Sequence, residues 1–265
     1  MYRRFAAVCA LALGAQLVSQ HAAAQSAGYP VRPVRIVVPA APGGGTDYTA
    51  RTIAQRLTET LGQTVIVDNR PGAAGNIGVE IAAKSTPDGY TLVMPITSFP
   101  INPHLYRKMP FDTVHDLAPI TLASIAPLYL VVNPTVPANN VSELIALAKG
   151  KPGQLNYANS GNGTSAHLAG ELFKKMAAID LVSIPYKGGG PAVLDLVGGR
   201  VQLYFSTIPA ALTQVQAGKL RGLAVTSAKR VNLLPEVPTV AESGLPGYEI
   251  VAWFGLFTAA GSPNR

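Results

Sequence analysis

Cysteine is nearly absent from this chain of 265 residues: the sole thiol, Cys9, lies near the amino terminus. Everything after it is therefore free of disulfides, thiol nucleophiles and cysteine-based metal sites. Charge is also scarce, with Asp, Glu, Lys and Arg together at 13%. The basic residues are scattered, and no basic stripe with interleaved aromatics occurs, which excludes nucleic acid as a partner. A formal net charge of +7 leaves a mild positive field that suits a small anionic ligand, although a shortage of acidic residues accounts for it equally well. No apolar run beyond the amino terminus approaches the roughly 20 residues of a membrane span. The three histidines beyond the leader, His104, His115 and His167, have no metal-ligand spacing. His167 reads as a core or helix-surface residue. Neither a metal nor a cofactor is expected.

The amino terminus reads as a leader. Arg3 and Arg4 form a charged start, Phe5 to Val18 an apolar stretch, and Ala22-Ala23-Ala24 a small-residue cleavage site. Residues 1–24 are thus expected to be a signal peptide that takes the protein to the bacterial periplasm. Cys9 is too close to Arg4 for a lipoprotein cleavage box. Roughly 240 residues remain, enough for one large α/β domain or two smaller lobes.

Apolar runs and glycine loops alternate from Val34 onward. Strands are expected at 34–38, 64–68, 90–95, 118–124, 128–133, 155–158, 181–185, 201–205, 220–226 and 248–258. Helices are expected at 47–61, 75–84, 141–149, 164–178, 192–197 and 209–217, with Asn140 or Ser142 capping the third. Ala126-Pro127 separates the fourth and fifth strands. The order predicts mainly parallel sheets flanked by helices, in two βα series. The series divide near residues 125–130 and rejoin near 226–248, with a cleft between two lobes.

The segment Pro39-Ala40-Ala41-Pro42-Gly43-Gly44-Gly45-Thr46-Asp47 joins the first strand to the first helix. Three glycines let backbone N–H groups approach a ligand where the helix dipole is positive. Thr46 or Asp47 is expected to cap the helix. The loop has no lysine, so the G-x-x-x-x-G-K-[ST] pattern is missing, and no G-x-G-x-x-G follows a strand. A tight turn that holds nothing is the plainer reading of one such loop alone. Three more follow, however: 68–76, 157–167 and 186–191, with Ser160 and Thr164 adding hydroxyls and Pro191 placed at a first helical position. Four loops at the carboxyl ends of parallel strands converge on the ligand edge of an open α/β sheet. Charge-assisted hydrogen bonds of about 1.5–3 kcal/mol each could reach the roughly 8 kcal/mol of micromolar binding without an arginine.

These motifs resemble those of the substrate-binding receptors of tripartite tricarboxylate transporters, the Bug-type periplasmic proteins. The resemblance is carried by "YPVRPVRIVVPAAPGGGTDYTAR", "VIVDNRPGAAGNIG", "LNYANSGNGTSAHLAGELF", "IPYKGGGPAVLDLVGGRVQLYF" and "LPEVPTVAESGLPGYE". It implies a two-lobe flytrap of type II, with lobe 1 formed by 25–126 plus 227–265 and lobe 2 by 127–226. It further implies a monomer that binds a small carboxylate and delivers it to membrane permease subunits. Implied ligand contacts are Gly44, Gly45, Thr46, Ala74, Asn76, Thr97, Ser98, Ser160, Thr164, Gly188, Gly189 and Ser206, with Asn162 and His167 as weaker candidates. Ser206 stands where the family often has aspartate, which favours a plain carboxylate over an amino acid. The family pattern also continues with further helices beyond Arg265. A ligand sensor for a membrane signalling protein is the second reading. A serine hydrolase is the remote one, because Ala158-Asn159-Ser160-Gly161-Asn162 is not G-x-S-x-G.

Overall fold

The computed structural model describes residues 28–263; the expected signal peptide lies outside them. Strand β1 (Val34–Val38) runs parallel to both β2 (Val65–Asn69) and β3 (Thr91–Val93). The crossovers carry α1 (Gly45–Leu61) and α2 (Asn76–Ala83), the latter entered through a short 3₁₀ turn at Ala73–Gly75. Within the loop-rich stretch that follows, Asn102–Leu105 forms a single helical turn, α3.

The long strand β4 (Leu117–Val132) corrects the expectation of two strands divided at Pro127. Its first part, through Pro127, pairs antiparallel with β9 (Val251–Ala259), which also pairs with β3. From Leu128 it pairs instead with β7 (Leu203–Thr207) and β8 (Arg221–Val225). Proline lacks an N–H for a ladder, and Pro127 sits where the strand changes partners. The second half continues with α4 (Val141–Gly150), β5 (Asn156–Asn159), α5 (Ser165–Ala177), β6 (Val182–Pro185), α6 (Gly189–Val197) and α7 (Ile208–Gln216). β5 lies parallel between β6 and β7. The path across the molecule is β2-β1-β3-β9-β4-β7-β5-β6, with β8 against β4. This is a two-lobe α/β fold whose lobes share strand β4.

One apolar core runs through both lobes, from Ile36 and Met94 to Leu130, Phe173 and Phe205. The returning segment inserts Tyr248 into it, against Phe173 and Phe205 at 6.3 and 6.4 Å between ring centroids. The Tyr248 hydroxyl donates to the Ala169 carbonyl at 2.8 Å. The switch point on β4 is pinned by Thr226, which is fully buried. Its hydroxyl accepts from the Leu128 N–H at 2.7 Å and donates to the Ile250 carbonyl at 2.7 Å. Both connections between the lobes are therefore tied to one side chain.

Candidate functional site

The β1–α1 loop meets the second lobe backbone to backbone. Ala41 donates its N–H to the Lys187 carbonyl at 2.8 Å. A Cβ on Gly44 would lie 3.0 Å from the Gly189 nitrogen, and one on Gly190 would collide with the Pro42 carbonyl oxygen. The glycines therefore allow two loops from different lobes to touch with no side chain between them. The lobes are closed on each other.

Helix α1 starts two residues before Asp47, with Gly44 at the cap and no side-chain cap bond. The expectation that Thr46 or Asp47 caps it is thereby corrected: both residues lie inside the first turn. Asp47 instead reaches backwards, accepting the Gly43 N–H at 3.0 Å and bonds from Arg51 and Asn69, each at 3.0 Å. Burial alone would push its carboxyl up, but the bonds from Arg51, Gly43 and Asn69 hold it below the usual carboxylate range. It fixes the loop rather than facing a ligand. Pro191 is the third residue of α6, not the first, because that helix starts at Gly189. Asn140, one of two expected caps, accepts the Glu143 N–H at 2.9 Å.

Between the lobes lies a cavity of about 40 Å³ lined by Gly44, Gly45, Thr46, Thr97, Ser160, Thr164, Gly188 and Gly189, with Ser165, Tyr204 and Thr207 completing its polar wall. Ala40, Ile96, Ala252 and Phe254 supply an apolar side. By the volume a water needs, this holds about three water-sized atoms, the size of one carboxylate group. No Asp, Glu, Lys, Arg or His lines it. The Tyr204 phenol stays protonated, pushed up to about 12 by burial, an effect that the neighbouring Ser160 hydroxyl only partly offsets. Eight of the residues expected from sequence thus meet in one place.

A second cavity of about 240 Å³ adjoins the first, sharing Ile96 and Ser160. Gly72 to Gly75, Tyr106, Gly161, Asn162, Tyr186 and Lys187 line it. Here Ala73 and Ala74 both adopt the left-handed region, at φ 47° and 50°. Each such residue costs roughly 1–2 kcal/mol, so the turn needs support. Ser98 Oγ and Asn102 Nδ2 donate to the Ala74 carbonyl at 2.8 and 3.0 Å, and Asn102 also donates to Asn76 Oδ1 at 2.7 Å. With its carbonyl tied down, Ala74 lines the cavity while Ser98 and Asn76 lie buried behind it. Ser206 is also buried, its hydroxyl donating to the Thr207 carbonyl at 3.1 Å, and it is not among the residues lining either cavity.

The 160–164 loop is internally wired. Ser160 Oγ donates to Thr164 Oγ1 at 3.2 Å, and Thr164 Oγ1 donates to the Gly161 carbonyl at 2.6 Å while capping α5. His167, half-buried, accepts the Gly163 N–H on Nδ1 at 3.2 Å. Desolvation pushes this imidazole below its ordinary value, which keeps it neutral and able to accept.

Ser165, Tyr204 and Thr207 are polar site-lining residues that sequence reasoning missed. The available signal was Pro209, two residues after Thr207: it removes an N–H that a capping threonine would bond, leaving the hydroxyl for another use.

The family model described as "Tripartite tricarboxylate transporter family receptor" matches residues 49–265. The chain belongs to this family. Family members are solute receptors of the periplasm and not enzymes. Protein BugT of Bordetella pertussis is 41% identical over 239 residues, which is 89% of this chain and 73% of that one. Among solved structures, R. palustris Rpa4515 with adipate is 40% identical, with a TM-score of 0.86 over 89% of this receptor and 80% of that chain. MatC (Rpa3494) from Rhodopseudomonas palustris with bound malate is 32% identical, with a TM-score of 0.80 over the same shares.

Proposed function

We propose that this receptor captures a small carboxylate by closing its lobes, and hands it to the membrane subunits of a tripartite tricarboxylate-type transporter. The lobes are 25–126 plus 227–265 and 127–226, exported behind a signal peptide at 1–24. One observation carries the reading: the inter-lobe cavity is carboxylate-sized, lined by the glycines at two helix starts and by hydroxyl-bearing side chains, and free of acidic side chains. Hydrogen bonds to an ionised acceptor are stronger than neutral ones, so such a rim favours an anion without a counter-charge. Gly44, Gly45 and Thr46 present the positive end of α1 to it, and Gly188 and Gly189 present the end of α6. Thr97, Ser160 and Thr164 shape the walls, partly through water.

The ligand's far end extends into the larger cavity along Ala74, which Asn76 and Ser98 support from behind. Ser206 acts from beneath the floor, where a carboxylate in its place would repel an acid. Adipate in the similar Rpa4515 and malate in MatC fit this size class.

A thermal-shift screen against mono-, di- and tricarboxylates and amino acids tests the reading. Ligand that binds only the folded state raises Tm, by an amount equivalent to about 2.7 kcal/mol at a hundredfold excess over Kd. A rise with a carboxylate class supports the proposal, whereas a rise with amino acids alone contradicts it.

A further inference from the structure

Thr207 stands out within the closed site. It is the N-cap residue of α7, yet its side chain makes no cap bond, and Pro209 removes one of the N–H groups it would serve. Its Oγ1 is buried and has no hydrogen-bond partner, although it lines the carboxylate-sized cavity. The neighbouring hydroxyls are differently placed. Ser160 gives its proton to Thr164, Thr164 gives its own to Gly161, and Thr97 reaches across the lobes to Ser165 at 3.4 Å. A hydroxyl has one proton to donate, and among the described residues Thr207's is the hydroxyl of this wall that is buried with no hydrogen-bond partner of any kind.

The seal around Thr207 comes from the other lobe. A Cβ on Gly45 would lie 2.8 Å from Thr207 Oγ1 and 2.9 Å from its Cβ, and closer still to Cγ2. Gly45 opens lobe 1's helix α1, while Thr207 ends lobe 2's strand β7. Closure therefore presses an uncapped hydroxyl against a bare backbone and removes it from water.

We propose that Thr207 couples closure to occupancy: its hydroxyl donates to an oxygen of the bound carboxylate, and is stranded when the lobes close empty. This rests on the receptor reading for the identity of the bound group. Stranding a buried donor disfavours the empty closed state, and a carboxylate oxygen removes that penalty. A ligand shifts a conformational equilibrium only through such a difference between the two states. Thr207 thus does two things that a structural threonine would not do together: it holds the empty receptor open and tightens the filled one.

Thr207→Val keeps the shape of the side chain and deletes no cap bond. Distances between spin labels at Gln55→Cys and Lys175→Cys, exposed on α1 and α5, report closure of the mature chain, from which Cys9 is removed with the leader. Without ligand, Thr207→Val should raise the closed-to-open ratio roughly tenfold, about 1.4 kcal/mol. Its affinity for adipate should fall by a similar factor, while Thr207→Ser keeps the wild-type pattern in both readouts. Ligand-free distances in Thr207→Val that match the wild type overturn the inference, whatever the ligand does. A wild type that binds no carboxylate overturns the receptor reading instead, and the ligand-free comparison still decides the role of Thr207 in closure.

Discussion

Replacing Gly190 by alanine separates folding from closure. Gly190 is the second residue of α6, and its φ is not in the left-handed region. Alanine is better than glycine in a helix by up to about 1 kcal/mol, so the second lobe should gain slightly or stay level. In the closed form, however, the new Cβ would collide with the Pro42 carbonyl oxygen, with Pro42 C at 3.2 Å and Gly43 Cα at 3.4 Å behind it. Ordinary contact begins near 3.4 Å, and both partners are backbone, so no side-chain rotation relieves the clash. The two loops must part. The Ala41 N–H to Lys187 carbonyl bond then goes, for about 1 kcal/mol, together with the packing around it. A closed state destabilised by about 1–3 kcal/mol weakens apparent affinity by roughly 5- to 150-fold. Calorimetric titration with adipate, beside a thermal melt without ligand, reads both effects. The expected pair is a ligand-free Tm at or above wild type and a clearly weaker Kd. Wild-type affinity in a folded Gly190→Ala protein would refute the argument that these loops must touch for binding.

Three further outcomes follow from the same geometry. Thr226→Val should cost about 1–3 kcal/mol, because it leaves the Leu128 N–H and the Ile250 carbonyl without the hydroxyl that joins them; urea unfolding that matches wild type would contradict its role at the switch point. The double variant Thr46→Val, Ser160→Ala should bind carboxylates at least tenfold more weakly, with an unaltered far-ultraviolet circular dichroism spectrum. For pH, His167 has its folded pKa lowered by burial, so its contribution is present above its unfolded value of about 6.5 and is lost as pH falls through the folded value. Tm measured from pH 7.5 to 5 should therefore fall less in His167→Gln than in wild type, and parallel curves would refute the assignment.

Much of this architecture was readable in the chain. The Val34–Val38 strand has the bounds its apolar run predicts, and all four glycine loops contribute residues to the two cavities. The strand β4 was not readable as one element. Pro127 breaks the local pattern, and only pairing with β9 on one side of it and β7 on the other makes the strand continuous. The start of α1 was misplaced because capping chemistry points to Thr46 or Asp47, whereas the real cap is a glycine chosen for closeness to the other lobe. Asn76 and Ser98 were expected as ligand contacts only through the family resemblance. Their position behind Ala74 depends on the left-handed conformation of two alanines, which residue type does not announce. Thr207 went unnoticed because it falls in the short link between the apolar run expected as a strand at 201–205 and the helix expected at 209–217. Its importance lies in a bond it does not make.

The central claim is that a carboxylate sits in the small cavity between the lobes, and a crystal structure of the mature chain grown with adipate tests it most directly. The account predicts one carboxylate group among Gly44, Thr46, Gly189 and Thr207, with the remainder of the ligand running past Ile96 and Ser160 toward Ala74. Adipate bound elsewhere, or a closed cavity filled only by water while adipate occupies another surface, would contradict it.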